Sequence, residues 1–270
     1  MADRPDGPAL VVEILLWIAW FGVLVALLAP SPRSLTAIRI AGPAAVGIAV
    51  IATVTDGFDA SGILAIGYAS LFCAVIFLPT FGDQMINGSA YGSERRMALR
   101  PIALVLLGPM QLAWLAVVAG LVAAPLLVLN ERFLLAILAV IIGAGAVWAG
   151  TKILHQWSRR WIVFVPAGFV IHDPIHVVDA VLFRRNEVKA LGPAFDDAST
   201  GGRVDMSGGA LGLALEVELK QPTPITLRGR GELKNGTVSN VVFSPTLPGA
   251  MLSEARIRGL KIGEATSANG

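Results

Sequence analysis

The sequence predicts an α-helical membrane bundle of five transmembrane helices followed by a small, mainly-β roll closed by a C-terminal helix. Three observations predict it. The chain of 270 residues is 55% hydrophobic and only 15% charged, with a mean hydropathy of +0.70, whereas an average soluble domain carries about 25% charged residues. Charge is also unevenly placed: residues 1–150 hold seven basic and eight acidic side chains, and residues 151–270 hold the other fourteen and eleven. Finally, the apolar pattern changes at Trp161 from long unbroken runs to short alternating ones. The expected division is a membrane domain over 1–158, a water-soluble domain over 159–262 and a disordered tail over 263–270.

A helix that crosses ~30 Å of hydrocarbon at 1.5 Å per residue needs about 20 mostly apolar residues. Stretches 10–29, 36–54, 62–80, 102–129 and 133–154 meet that length. Turn chemistry separates them: Pro30-Ser31-Pro32, Asp56-Gly57, Phe81-Gly82-Asp83 and Asn130-Glu131-Arg132. The second stretch is rich in alanine and glycine and contains Pro43, which makes it the weakest of the five. The fourth is over-long and carries Pro109 and Pro125, so a tilt or kink is expected there. The first reads as a retained span and not as a cleaved leader. Arg4 is flanked by Asp3 and Asp6, and Ala26-Leu27-Leu28-Ala29 has the wrong spacing for a small-x-small cleavage site.

Basic residues near span ends favour the cytoplasm. With five spans, Arg4 and Arg132 fall on one side. Arg33, Arg39, Arg95, Arg96, Arg100, Lys152, Arg159 and Arg160 fall on the other. Eight against two places the amino terminus outside a plasma membrane and the carboxy-terminal domain in the cytoplasm. Trp157 and Trp161 bracket Arg159 and Arg160 as a membrane-edge anchor, with indoles in the headgroup layer and cations toward anionic lipid. The connection over residues 81–100, rich in glycine and serine, reads as a mobile contact loop.

Intramembrane catalysis or ion coupling needs ionisable or strongly polar groups within the spans. The intramembrane polar residues are Glu13, Arg39 and Gln111. H-E-x-x-H and G-x-S-x-G motifs and paired intramembrane aspartates are absent from the sequence. Cys73 is the single cysteine, which excludes an intrachain disulfide and any multi-cysteine zinc site. Glu13 admits a proton path or a subunit contact, but so close to the end of its span it reads more simply as a headgroup-layer carboxylate. Small residues recur every fourth position at Ala116, Gly120 and Ala124, and at Ala65, Ala69 and Cys73. Such stripes let helices approach closely, either inside one bundle or against a partner.

In the second half, 161–165 and 169–171 flank Pro166-Ala167-Gly168 as a hairpin. Residues 181–183 and 188–191 read as short strands. Leu211, Leu213, Leu215, Val217 and Leu219 alternate with polar or small residues as a half-buried strand, and 225–227 and 241–243 follow as further strands. Residues 193–210 form a glycine-rich loop. A final helix is expected with Thr246 as cap, Pro248 in the first turn and Gly259 as the stop, its apolar face formed by Leu247, Met251, Leu252 and Ala255.

The order of hairpin, strands and one closing helix resembles a pleckstrin-homology-like roll. Residues 159–174, RRWIVFVPAGFVIHDP, resemble the opening strands of bacterial PH-like domains attached to membrane spans. The alanine-, glycine- and valine-rich style is similar to multi-pass membrane proteins of actinobacteria. The resemblance covers residues 159–262 and implies a binding or interaction module. Family members that bind phosphoinositides do so through basic residues around the first hairpin loop. Here that loop, Pro166-Ala167-Gly168, has none, so this property does not carry over.

His172 and His176 flank Pro174, which argues for a turn and for loop polarity over a metal site. Arg184, Arg185 and Lys189 form one basic cluster; Arg228, Arg230 and Lys234 form another. With Arg159 and Arg160 they suit an anionic inner leaflet or a partner, and equally a solvated edge that blocks strand-to-strand aggregation. Asp196, Asp197 and Asp205 lack calcium-loop spacing and count as solubilising charge. A formal charge of +2 gives no reason to expect nucleic acid. The sequence therefore points to a non-catalytic membrane anchor or accessory protein without a cofactor, in contact with membrane lipids and a membrane or cytoplasmic protein partner. The alternatives are an oligomeric transporter and a sensor of anionic lipid.

Overall fold

The computed structural model describes residues 7–101, 108–195, 202–228 and 233–263. The chain divides into two compact units. One comprises Met1–Met85 with Gly108–His155, the other Ile86–Leu107 with Gln156–Gly270. The contiguous boundary expected near residue 158 is thus replaced by an interrupted one, because a piece of the inter-helix connection belongs with the β unit.

The first unit is helical. It holds α1 (Gly7–Leu28), α2 (Pro32–Asp56), α3 (Ala60–Ile76), α5 (Pro109–Leu129) and most of α4 (Pro79–Asn87) and α6 (Phe133–Ser158). By length and composition, 9–28, 32–55 and 133–158 suffice to cross a membrane, and α3 and α4 pass that test only as a pair. Helix α5 has 21 residues and no charged side chain; residues 102–107 of the expected fourth span lie outside the described residues. The third span was expected to run unbroken to residue 80, but α3 stops at Ile76 and α4 leaves at 62°. Pro79 is the cause, since it cannot donate to the preceding turn and its ring clashes with the carbonyl four residues back.

Helix α2 is the hub, packing against α1, α3 and α5. The alanine and glycine content that made it the weakest span by sequence is what allows this, because small residues let backbones approach closely. A Cβ on Gly42 would collide with the Ile76 side chain, and Cys73 Cα lies 3.6 Å from that position. Leu35, Ile38 and Ile76 are fully buried. Trp17, Phe21, Leu134 and Ile141 by contrast expose their apolar surface outward, the distribution that suits a lipid solvent and not water.

The second unit is mainly β, with two four-stranded sheets and a closing helix. The first sheet runs β1 (Arg95–Ala98), β2 (Trp161–Val165), β3 (Gly168–His172), β4 (Val181–Arg184), all antiparallel. In the second, β5 (Val188–Pro193), β7 (Leu215–Arg228) and β8 (Leu233–Phe243) are antiparallel neighbours. Strand β6 (Arg203–Asp205) lies parallel to β8 at its edge. The sheets are joined at two corners. One is made by the Leu99–Pro245 bridge with the Arg100 N–H donating to the Ser244 carbonyl at 2.8 Å, the other by the Val177–Leu227 bridge. The edge of β5 is covered by the end of the chain through the Leu191–Ile262 bridge.

Strand parity builds the core. Ile162 and Phe164 pair with Ile171 and Phe169, and Phe169 meets Phe183 and Phe243 with ring centroids 5.4 and 6.4 Å apart. Leu215, Val217 and Leu219 supply the facing side, and α7 (Pro248–Ile257) lays Met251 and Ala255 on it. Gly168, at φ +155°, has no room for a Cβ, which would strike the Phe183 carbonyl.

Five expectations are corrected here. Residues 81–100 are not a mobile loop but the end of α4 and an inserted strand. β1 is held by β2 on one side, and on the other the Arg96 N–H donates to Asn87 Oδ1 at 2.9 Å. The strongly alternating strand begins at Leu215, leaving Leu211 and Leu213 exposed before it, because positive φ at Gly209 and Gly212 breaks the extension. Residues 225–227 continue that same strand beyond a register shift after Glu218. Thr246 does not cap α7; Leu247 holds that position, and the Thr246 hydroxyl donates to the Ala98 carbonyl at 3.1 Å. Part of the expected loop 193–210 is β6, and residues 196–201 and 264–270 lie outside the described residues.

Two tests follow from this packing. In antiparallel pairs whose N–H groups point away from each other, Cα atoms lie about 4.5 Å apart, and Arg96 opposite Val163 is such a pair. With Cys73 replaced by alanine, R96C with V163C should cross-link on mild oxidation, whereas R96C with V170C should not. In the helical unit, Gly42→Val should lower stability by about 1–3 kcal/mol through overpacking. Gly47→Val, at a position with nothing within 4 Å, should be tolerated, as read by thermal unfolding in detergent.

Candidate functional site

The polar centre of the β unit is Arg160. It shares parity with Ile162 and Phe164 and therefore points inward, and it is 1% exposed. Its guanidinium donates to the Arg100 carbonyl at 2.7 Å, to Asp173 Oδ2 at 2.8 Å and to the Met206 carbonyl at 2.8 Å. Its own carbonyl accepts the Leu99 N–H at 3.0 Å. One side chain thus ties together the segment after β1, the end of β3, the loop after β6 and the junction between α6 and β2. The planar fork of arginine suits this; lysine offers no such spread of fixed donors.

Asp173 is also buried. It accepts from the Ile175 N–H at 3.2 Å, and its Oδ2 lies 2.8 Å from His176 Nδ1. Burial by itself pushes the carboxyl up. The His176 hydrogen bond, together with the charge and hydrogen bond of Arg160, outweighs it, and the carboxyl is held below its ordinary value. The tight turn 173–176 follows from Pro174 and the aspartate's bond to the backbone two residues on. A carboxylate beside an imidazole is half of a general base. This carboxylate, however, is committed to Arg160, and among the described residues no hydroxyl or thiol is hydrogen-bonded to His176. His172 is turned elsewhere: it stacks on Trp161 at 4.5 Å between ring centroids and its Nδ1 lies 2.8 Å from the Arg159 carbonyl. Among the described residues no group of three or more His, Cys, Asp or Glu is arranged to hold a metal ion.

Arg160, expected at a lipid or partner surface beside Arg159, is instead structural; Arg159 is exposed. Arg184 and Lys189 are exposed but paired, Arg184 with Glu187 at 3.1 Å and Lys189 with Glu218 at 2.6 Å. The Arg184 backbone N–H, aided by its guanidinium, holds the Glu187 carboxyl below the usual range. Arg185 donates to the Arg258 carbonyl at 3.4 Å. Arg228 is exposed on the last residue of β7, and Arg230 lies outside the described residues. Glu13 is exposed in the second turn of α1, and Gln111 is exposed in the first turn of α5. Ala116 and Ala124 are exposed and half-buried on α5, with Gly120 between them in the same helix.

A second polar cluster was not expected from sequence. Glu216, 5% exposed, accepts from Arg203 at 3.0 Å and from Asn240 Nδ2 at 2.7 Å, clamping β6 and β8 to β7. The sequence carries no signal for it: Glu216 keeps the alternation, on the opposite face from Leu215 and Val217, and nothing local marks that face as covered.

Removing one partner of a buried pair leaves the other charge uncompensated, at about 3–5 kcal/mol. Asp173→Asn should therefore destabilise the β unit by that amount at pH 7. Because the Asp173 pKa is depressed on folding, its contribution is complete above the ordinary carboxylate pKa of about 4 and is lost as pH falls below it. Thermal unfolding from pH 7 to pH 3 should show the gap between wild type and the variant narrowing only at the acid end. Comparison with known proteins adds no relative to set beside this geometry, since no family model, curated protein or solved structure matches the chain.

Proposed function

We propose that the chain is a five-span plasma-membrane protein whose PH-like β unit is a non-catalytic platform, held on the cytoplasmic face, for a protein partner. The observation that supports this furthest is the origin of β1. The β unit is built from two chain segments, each continuous in sequence with the helical unit, so it is tied to that unit at more than one point of the chain, as suits a platform.

The strand pairing also constrains the crossings. No bilayer can pass between hydrogen-bonded strands, so residues 95–98 and 161–164 share one side, and α5 and α6 cross either together or not at all. The arginine bias assigns that side to the cytoplasm. A protein partner is favoured over a lipid sensor because two of the basic side chains expected at a headgroup surface, Arg184 and Lys189, already face Glu187 and Glu218.

The test is purification of the tagged full chain from its native membranes, with a photo-crosslinking residue at Leu233 or Ile257, both well exposed on the β unit. A stoichiometric partner captured through at least one of these positions, and lost when residues 159–270 are deleted, is the expected result. A chain that emerges alone in several mild detergents, or a partner retained by the deletion, would overturn the platform reading.

A further inference from the structure

We infer that residues 207–214 form a lipid-contacting loop that places Leu211 and Leu213 at the boundary between headgroups and acyl chains. This rests on the reading that α5 and α6 cross the bilayer, and it assigns lipid contact to an uncharged loop in place of the basic clusters.

The loop, SGGALGLA, has no charged residue, and its one polar side chain, Ser207, is buried. Leu211 is 72% exposed and Leu213 47%. Neighbouring Phe195, 45% exposed, is brought alongside because the Ala194 N–H donates to the Ala214 carbonyl at 2.9 Å. This apolar surface is presented by a fixed backbone. Asp205 Oδ1 accepts the Ser207 N–H at 2.7 Å, and Ser207 Oγ accepts the Gly209 N–H at 3.3 Å. Gly209 and Gly212 supply the left-handed φ values of +68° and +104°.

Two arginines hold the loop, and both belong to the segments that run to the helices. Arg160, two residues beyond the end of α6, grips the Met206 carbonyl. Arg100, on the stretch leading to α5, donates to the Leu211 carbonyl, and its guanidinium fills the space where a Gly212 side chain would stand. The leucines are thus anchored at the point where the chain passes to and from apolar helices, on the same junction as Trp157 and Trp161. Aromatic rings of that kind favour the headgroup layer. Protein-binding hot spots are enriched in Trp, Tyr and Arg and poor in Leu; a surface of Leu211, Leu213 and Phe195 with no hydrogen-bonding side chain fits acyl chains better.

The experiment uses the full chain with Cys73 replaced by alanine, reconstituted in vesicles of phosphatidylcholine and phosphatidylglycerol. A single environment-sensitive fluorophore is attached at L211C, L213C, L233C or I141C, and each labelled protein must retain the parent's thermal unfolding profile. Labels at 211 and 213 should be quenched by nitroxides high on the acyl chain, and protected from aqueous iodide by about threefold or more relative to 233, as expected for shallow insertion. Iodide quenching at both positions equal to that at 233 would overturn the inference, as would shielding from iodide and nitroxide alike, which would mean a protein occupant. The label at 141, mid-α6, separates the two readings. Quenching there by deep nitroxides with none at 211 and 213 removes the loop inference alone, whereas no quenching at 141 removes the membrane reading on which it rests.

Discussion

The β unit depends on one buried ion pair. Arg160 and Asp173 are both withdrawn from water, a placement that costs several kcal/mol per ion unless further hydrogen bonds complete it. Completion comes from backbone carbonyls of segments far apart in sequence, Arg100 and Met206, and from the imidazole of His176. Such a pair adds little raw stability compared with a well-packed apolar replacement. What it specifies is position, because each partner can be satisfied only when β1, β3 and the loop after β6 have all arrived. The phenylalanine core around Phe169 supplies the hydrophobic energy, and the arginine fixes which segments surround it.

The helical unit solves a different problem with different residues. Where lipid is the solvent, apolar side chains have no preference for the interior and association rests on close approach. Gly42 against Ile76 and Cys73, and Gly62 against Thr53, are the contacts that bring α2 onto α3. Large residues such as Trp17 and Ile141 are turned outward. The same composition in a soluble protein would be an aggregation hazard.

Local patterns were legible wherever their cause was local. The β2–β3 hairpin follows from alternation and its Pro-Ala-Gly turn, and Pro248 and Gly259 delimit α7 through their own backbone preferences. What the sequence conceals is partnership over distance. Arg95-Arg96-Met97-Ala98 is too short to announce a strand and looks like a cationic flank to the next apolar run; only pairing with residues 161–164 makes it one. Arg160 reads as half of a surface dibasic pair until its parity with Ile162 and Phe164 is noticed. That parity was available in the sequence and is the one signal that would have identified the site. The bend at Pro79 was equally available, whereas the cover over Glu216 was not, since it is supplied by Arg203 and Asn240 from other strands.

The inserted strand also governs the order of assembly. Met97 pairs with Ile162, so when β1 leaves the ribosome its partner has not been made, and at about 5–20 residues per second it waits some seconds for it. Both α5 and α6 are synthesised in that interval. The β unit therefore cannot close until the whole of residues 99–160 has been made, and in that interval β1 stands as an unpaired strand. The fold is completed only by its later parts: Met97 waits for Ile162, and the Arg100 carbonyl waits for the Arg160 guanidinium.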